Sequence, residues 1–157
     1  MGLKFTKTTK RAVIGTAALS LVIGCAAALM PVSKPAIARE AVVYKSPTCG
    51  CCKGWGTYLQ RNGYKVTMID REDMDKVKDD LGVPDAERSC HTAKIDGYVV
   101  EGHVPLAAID KLLAERPKVD GIASPGMPTG SPGMDGPKAP NPVYTFGSMG
   151  TRLLGTY

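Results

Sequence analysis

Aromatic side chains are scarce, at 6% of the 157 residues, with one Trp and two Phe. Any apolar core must therefore be built mainly from Val, Ile, Leu and Ala. Histidine occurs only at His91 and His103. Acidic residues are missing from the first 38 positions, which hold Lys4, Lys7, Lys10, Arg11 and Lys34. That segment accounts for the whole formal charge of +5, because residues 39–157 carry 15 basic and 15 acidic side chains. A basic footprint for nucleic acid is thus absent from the bulk of the chain. What is present is ordinary globular composition, 43% hydrophobic and 22% charged, which excludes wholesale disorder. The length allows one domain and little more. A domain this small buries only about two-thirds of its unfolded surface, so a metal or a disulfide would matter to its stability.

The first 38 residues read as a secretory signal. Met1–Arg11 is basic, Ala12–Met30 is an almost unbroken apolar run, and Ala36-Ile37-Ala38 supplies a small-x-small cleavage pattern. This order predicts export to the periplasm with a mature chain starting at Arg39. Two alternatives stay open: lipidation at Cys25 in Val22-Ile23-Gly24-Cys25, or an uncleaved inner-membrane anchor.

Export leaves Cys49, Cys51, Cys52 and Cys90, three of them within four residues. Adjacent Cys51 and Cys52 are poorly placed to bridge each other. Two readings follow: one redox-active bridge, Cys49–Cys52, or a soft metal held by several thiolates.

Along the mature chain, Ala41–Tyr44 reads as a strand, Lys53–Arg61 as a helix and Tyr64–Ile69 as a second strand. Asp73–Leu81 reads as a short charged helix, followed by a polar turn at Asp85–Ser89. Cys90–Ile95 and Tyr98–Glu101 form strands joined at Asp96-Gly97, a hairpin signal. Leu106–Arg116 is an amphipathic helix ended by Pro117. The order β-α-β-α-β-β-α predicts an α/β, thioredoxin-like domain over 39–119. Residues 117–142 then hold seven prolines and five glycines, so 120–157 is expected as a Gly/Pro/Met-rich extension packing on that domain.

The chemistry gathers at the cysteines. Cys49, Cys51 and Cys52 fall where the first helix begins, and unpaired N–H groups there favour thiolates. Three closely spaced thiols favour binding over exchange, because exchange needs two. Soft sulfur selects Cu(I), Zn(II) or iron–sulfur clusters. The topology brings Cys90 across from Cys49–Cys52, and four sulfurs in one pocket suit a thiolate cluster or a tetrahedral site. His91 is a weaker candidate, since strand alternation sets it on the face opposite Cys90. His103 can cap or hydrogen-bond rather than ligate. Met127 and Met134 offer thioethers for Cu(I), or anchors for the extension.

Tyr44–Trp55, with its Cys-x-Cys-Cys, resembles the opening signature of a bacterial family long without assigned function, whose better-studied members are the periplasmic copper-resistance proteins called CopG. Ser89–Ala93 with Gly97–Pro105, and Gly126–Met134, resemble its second and third blocks. The resemblance spans roughly residues 41–135. It implies a thioredoxin-like fold and periplasmic copper binding through Cys49, Cys51, Cys52 and Cys90. The resulting expectation is an exported Cu(I)-binding protein of copper resistance, not primarily an enzyme, dealing with copper ions and other periplasmic copper-handling proteins. The rival readings are a thiol–disulfide oxidoreductase using Cys49 and Cys52, and a structural zinc site. The segment with Met127 and Met134 is expected to fold back over the metal pocket.

Overall fold

In the computed structural model, residues 1–2 and 38–157 are described. The apolar run, Cys25 and the predicted cleavage motif up to Ile37 lie outside them. No helix among the described residues is long and apolar enough to cross a membrane.

The elements are β1 (Glu40–Lys45), α1 (Gly50–Arg61), β2 (Lys65–Asp70), α2 (Met74–Asp80), a 3-10 turn (Asp85–Glu87), β3 (His91–Ile95), β4 (Tyr98–Gly102), α3 (Leu106–Glu115), β5 (Gly121–Ser124), β6 (Pro142–Phe146) and β7 (Arg152–Thr156). They form one mixed sheet of order β2-β1-β3-β4-β5-β6-β7. β1 runs parallel to β2 and antiparallel to β3, and β3 and β4 form the hairpin expected at Asp96-Gly97. There Asp96 and Gly97 both take positive φ, as a tight two-residue hairpin requires.

Alternation along the strands builds a core on each face. Ala41, Val43, Ala93, Ile95, Val100, Ile122 and Val143 meet Trp55 and Leu59 of α1 and Ile109 and Leu112 of α3. Val99, Ala123 and Phe146 point the other way, onto Val83. Burying a side chain such as Leu59 or Ile109 contributes roughly 1.5–3 kcal/mol, and both are fully buried.

Two differences from the sequence reading matter for the site. Helix α1 starts at Gly50 rather than Lys53, so Cys51 and Cys52 lie in its first turn and Cys49 is its N-cap. And β3 starts at His91 rather than Cys90, which frees Cys90 from the pleat. Beyond Pro117, where the sequence reading placed no strand or helix, three short strands extend the same sheet. β5 joins β4 in parallel, and β6 and β7 follow antiparallel. Pro142 is accommodated as the first residue of β6, where a missing N–H costs least.

Candidate metal centre

The loop after β1 and the loop before β3 deliver four sulfurs to one place. Lys45 is an inward position of β1, continuing the alternation of Ala41 and Val43. Its buried ammonium pairs with Asp70 and donates to the Ser46 carbonyl at 3.1 Å, which ties down the turn leading to Cys49. Cys49 caps α1, its Sγ accepting the Cys52 N–H at 3.3 Å. Cys49 and Cys52 form a disulfide with Cα atoms 5.4 Å apart, and Cys51 and Cys90 are free. Cys51 Sγ lies 3.5 Å from Cys49 Sγ and 3.8 Å from Cys90 Sγ. All four sulfurs fall within 4.8 Å of one another.

A second donor group shares Cys90. One nitrogen of each histidine and Cys90 Sγ also lie within 4.8 Å of one another. The expectation that His91 faces away from Cys90 does not hold, because Cys90 precedes the strand and is not bound by its alternation. Its Sγ is 3.3 Å from His91 Nδ1 and 3.0 Å from His103 Nε2. His103 Nδ1 lies 2.7 Å from the Pro132 carbonyl, which can only accept, so Nδ1 carries the proton. The Nε2 lone pair of neutral His103 therefore faces Cys90, the tautomer a metal ligand needs. His91 is sealed beneath Trp55, ring centroids 4.6 Å apart, and its Nε2 has no hydrogen-bond partner among the described residues.

Burial sets the protonation states. It is the main cause pushing the Cys90 thiol up to about 12, with the neighbouring Cys51 adding to it. Metal-free Cys90 is thus a neutral thiol, and a metal must displace its proton. Burial likewise holds His91 well below its ordinary 6.5, aided by His103 and Lys78, and lowers His103 despite its carbonyl partner. Both imidazoles are neutral in the folded chain at neutral pH, while the unfolded chain takes up protons near pH 6.5. Stability is therefore full above that pH and falls as pH drops below it, by about 1.4 kcal/mol per pH unit for His91 alone. Urea unfolding of metal-free protein at pH 7.5 and 5.5 checks this, and the His91→Gln variant should lose most of the slope.

The Gly/Pro-rich segment lies against this centre. Gly133, at φ +84°, sits so close to α1 that a Cβ would come 2.5 Å from Trp55 N and 2.7 Å from Cys51 O. Met134, half-buried, borders a cleft of about 410 Å³ with Gly50, Cys51 and Asp135. Asn141 Nδ2 donates to the His103 carbonyl at 3.1 Å, adding a second tie to that histidine. Met127 is 59% exposed and does not line that cleft. Gly133→Ala combines a forbidden φ with a backbone clash and should destabilise the protein by about 1–3 kcal/mol, read as a lower Tm.

The geometry has counterparts among known proteins. The sequence profile of a family described as "Protein of unknown function, DUF411" matches residues 87–134. No curated protein matches the chain. A solved structure described as "Copper resistance protein copG- Form 2" is 45% identical, with a TM-score of 0.72 over 76% of this chain and 98% of its own. The chain belongs to the CopG-type copper-resistance family. The Form 1 structure of the same description agrees, at 45% identity and TM-score 0.70 over 75% of this chain and 96% of its own. The profile match holds Cys90, His91, His103, Met127 and Met134. The Cys-x-Cys-Cys lies outside it, so only the structural likeness to CopG spans both halves of the centre.

Sequence reasoning passed over the groups that brace these residues: Lys45, Trp55, the Pro132 carbonyl, and a buried cluster of Lys78, Thr92 and Glu101. A signal existed for Lys45 and Glu101. Lys45 continues the alternate apolar positions Ala41 and Val43, and Glu101 directly follows Val99 and Val100 in a buried strand, where a charge is out of place unless it is paired.

Proposed function

We propose that this protein binds Cu(I) through Cys49, Cys51, Cys52 and Cys90, with His91 and His103 as additional donors, and serves copper resistance in the periplasm. The observation that carries the reading is the convergence of four sulfurs and two imidazoles on one spot, with Cys90 common to both groups. Neutral nitrogen and thiolate sulfur form a soft donor set, which suits Cu(I) over hard cations. Thiolates bridge metals, so the site has the donors for a small multinuclear cluster. Met134 borders the cleft at Cys51 as a further thioether donor.

The strand order β2-β1-β3-β4 with α1 after β1 supports a thioredoxin-like core for residues 39–119. β5, β6 and β7 extend its sheet, and Gly133 and Met134 in the segment between them lie beside Cys51, which supports an extension packed on the domain. For localisation, the basic, apolar and small-residue order of residues 1–38 supports export and cleavage after Ala38. An intact mass with a diacylglyceryl group on Cys25, or retention of the apolar run, would replace that reading by a lipoprotein or an inner-membrane anchor.

Native mass spectrometry of reduced protein titrated with Cu(I) tests the function. The expected result is two or more copper ions retained per chain and none after all four cysteines are changed to Ser. Zinc held in preference to Cu(I) in direct competition would instead establish a structural zinc site.

The bridge between Cys49 and Cys52 favours a second reading, a thiol–disulfide oxidoreductase. In that reaction a substrate dithiol would give two electrons and two protons to the bridge and leave as a disulfide. With that dithiol as electron donor, the reduced Cys49–Cys52 pair would pass the two electrons on to a disulfide such as insulin's; insulin reduction by metal-free protein faster than by the dithiol alone, and lost in Cys49→Ser, would support it over copper binding.

A further inference from the structure

We infer that Glu101 is a positioning residue for the metal centre: its carboxylate holds the backbone at Ser89 and so fixes where Cys90 presents its sulfur. The inference rests on the reading of Cys90 as a copper ligand.

Glu101 is fully buried on the α2 face of the sheet. Its Oε1 accepts from Lys78 Nζ at 2.6 Å and from the Ser89 N–H at 2.7 Å, and its Oε2 accepts the Thr92 hydroxyl at 2.6 Å. Lys78 Nζ also donates to Thr92 Oγ1 at 3.0 Å, which closes the cluster. Glu101 and Thr92 face each other across the β3–β4 ladder, and Lys78 reaches them from α2. The carboxylate is therefore held from three elements.

Fold stability alone does not account for such a cluster. A buried ion pair is often no more stabilising than apolar residues of the same volume. What the pair supplies is a dry, rigid carboxylate, and that makes a strong acceptor for a backbone amide. The amide it takes belongs to the residue before Cys90. Cys90 lies outside the strand ladder, since β3 begins at His91. The loop that carries it is anchored at its start by Arg88 on Asp79 and Asp85, and nearer Cys90 by the bond to Glu101, the Ser89 hydroxyl to the Gly126 carbonyl, and the Gly126 N–H to the Arg88 carbonyl at 3.3 Å. With the Glu101 bond released, Cys90 Sγ loses its fixed distances to Cys51 and His103.

The test uses reduced full-length protein and competition with a chromophoric Cu(I) chelator. Three changes are compared with Cys90→Ser. Glu101→Gln discharges the carboxylate. Ser89→Pro replaces the donated N–H by a ring Cδ that crowds Glu101 and also removes the hydroxyl, so its Tm is recorded with its affinity; Arg88 already has the extended backbone (φ −68°, ψ 144°) that a following proline requires. The double change Lys78→Met with Glu101→Leu, made in a Thr92→Val background so that no buried hydroxyl is orphaned, swaps the pair for apolar volume and should keep Tm near that of the background. All three should weaken Cu(I) binding about 10–100-fold, as loss of an orienting partner does at metal sites, and alter the copper–thiolate absorption band. A merely structural role would leave the stable double variant with parental affinity. Parental affinity in that variant or in Ser89→Pro, with Cys90→Ser still weak, overturns the inference alone. Parental affinity in Cys90→Ser overturns the copper reading and the inference with it.

Discussion

Cys90→Ser is expected to cost more copper affinity than any other single cysteine replacement. Cys90 is the one residue common to the four-sulfur group and the sulfur–imidazole group, so its loss dismantles both. Structural metal sites with four ligands bind with about 10–16 kcal/mol, which makes one ligand in four worth about 2.5–4 kcal/mol, or roughly two to three orders of magnitude in affinity. Cys51→Ser removes a sulfur from the first group only and should fall short of that loss. His103→Ala touches only the second. Competition titrations on the three reduced variants should therefore rank Cys90→Ser lowest. Equal losses for Cys51→Ser and Cys90→Ser would mean that the imidazoles do not share metal with Cys90.

Oxidation is expected to have an effect of similar size. In the structure Cys49 and Cys52 are bridged, so among the described residues only Cys51 and Cys90 are free thiols. Bridged sulfurs do not supply thiolates, and the thiolate is the metal ligand. Two donors lost from the set should lower Cu(I) affinity by a factor on the order of a thousand or more. Adding a small dithiol, which closes to a disulfide as it opens the protein's bridge, should restore binding without any change in sequence. The comparison is one titration before and one after reduction, with free thiols counted in each. In Cys49→Ser the two titrations should coincide. Equal affinity in the oxidised and reduced wild-type chain would show that Cys49 and Cys52 hold no copper.

Much of the site was legible because its signals are local. Cys49, Cys51 and Cys52 announce themselves by spacing, and the turn Ser46-Pro47 before them marks a helix start. Cys90 needed only the β-α-β-α-β order to be set opposite them. His91 was harder to read, because its placement beside Cys90 depends on one residue of ladder register. A strand that begins at His91 frees Cys90 from alternation; one that begins at Cys90 separates the two. The braces were least legible. Lys45 with Asp70, and Lys78 with Glu101, pair across different elements, and only the folded sheet shows which charge answers which. The strands after Pro117 were missed for a related reason. β5 is four residues long and is flanked by Pro125 and a Gly/Pro loop, so its strand character comes from pairing with β4 rather than from its own sequence.

The central claim is that copper sits among the sulfurs of Cys49, Cys51, Cys52 and Cys90, with imidazole completing the shell. X-ray absorption at the copper edge, on reduced full-length protein loaded anaerobically with Cu(I), tests it most directly. The account predicts an edge typical of Cu(I), a first shell dominated by sulfur with a smaller nitrogen contribution, and loss of the nitrogen contribution when His91 and His103 are both replaced. A first shell of nitrogen and oxygen without sulfur would contradict it.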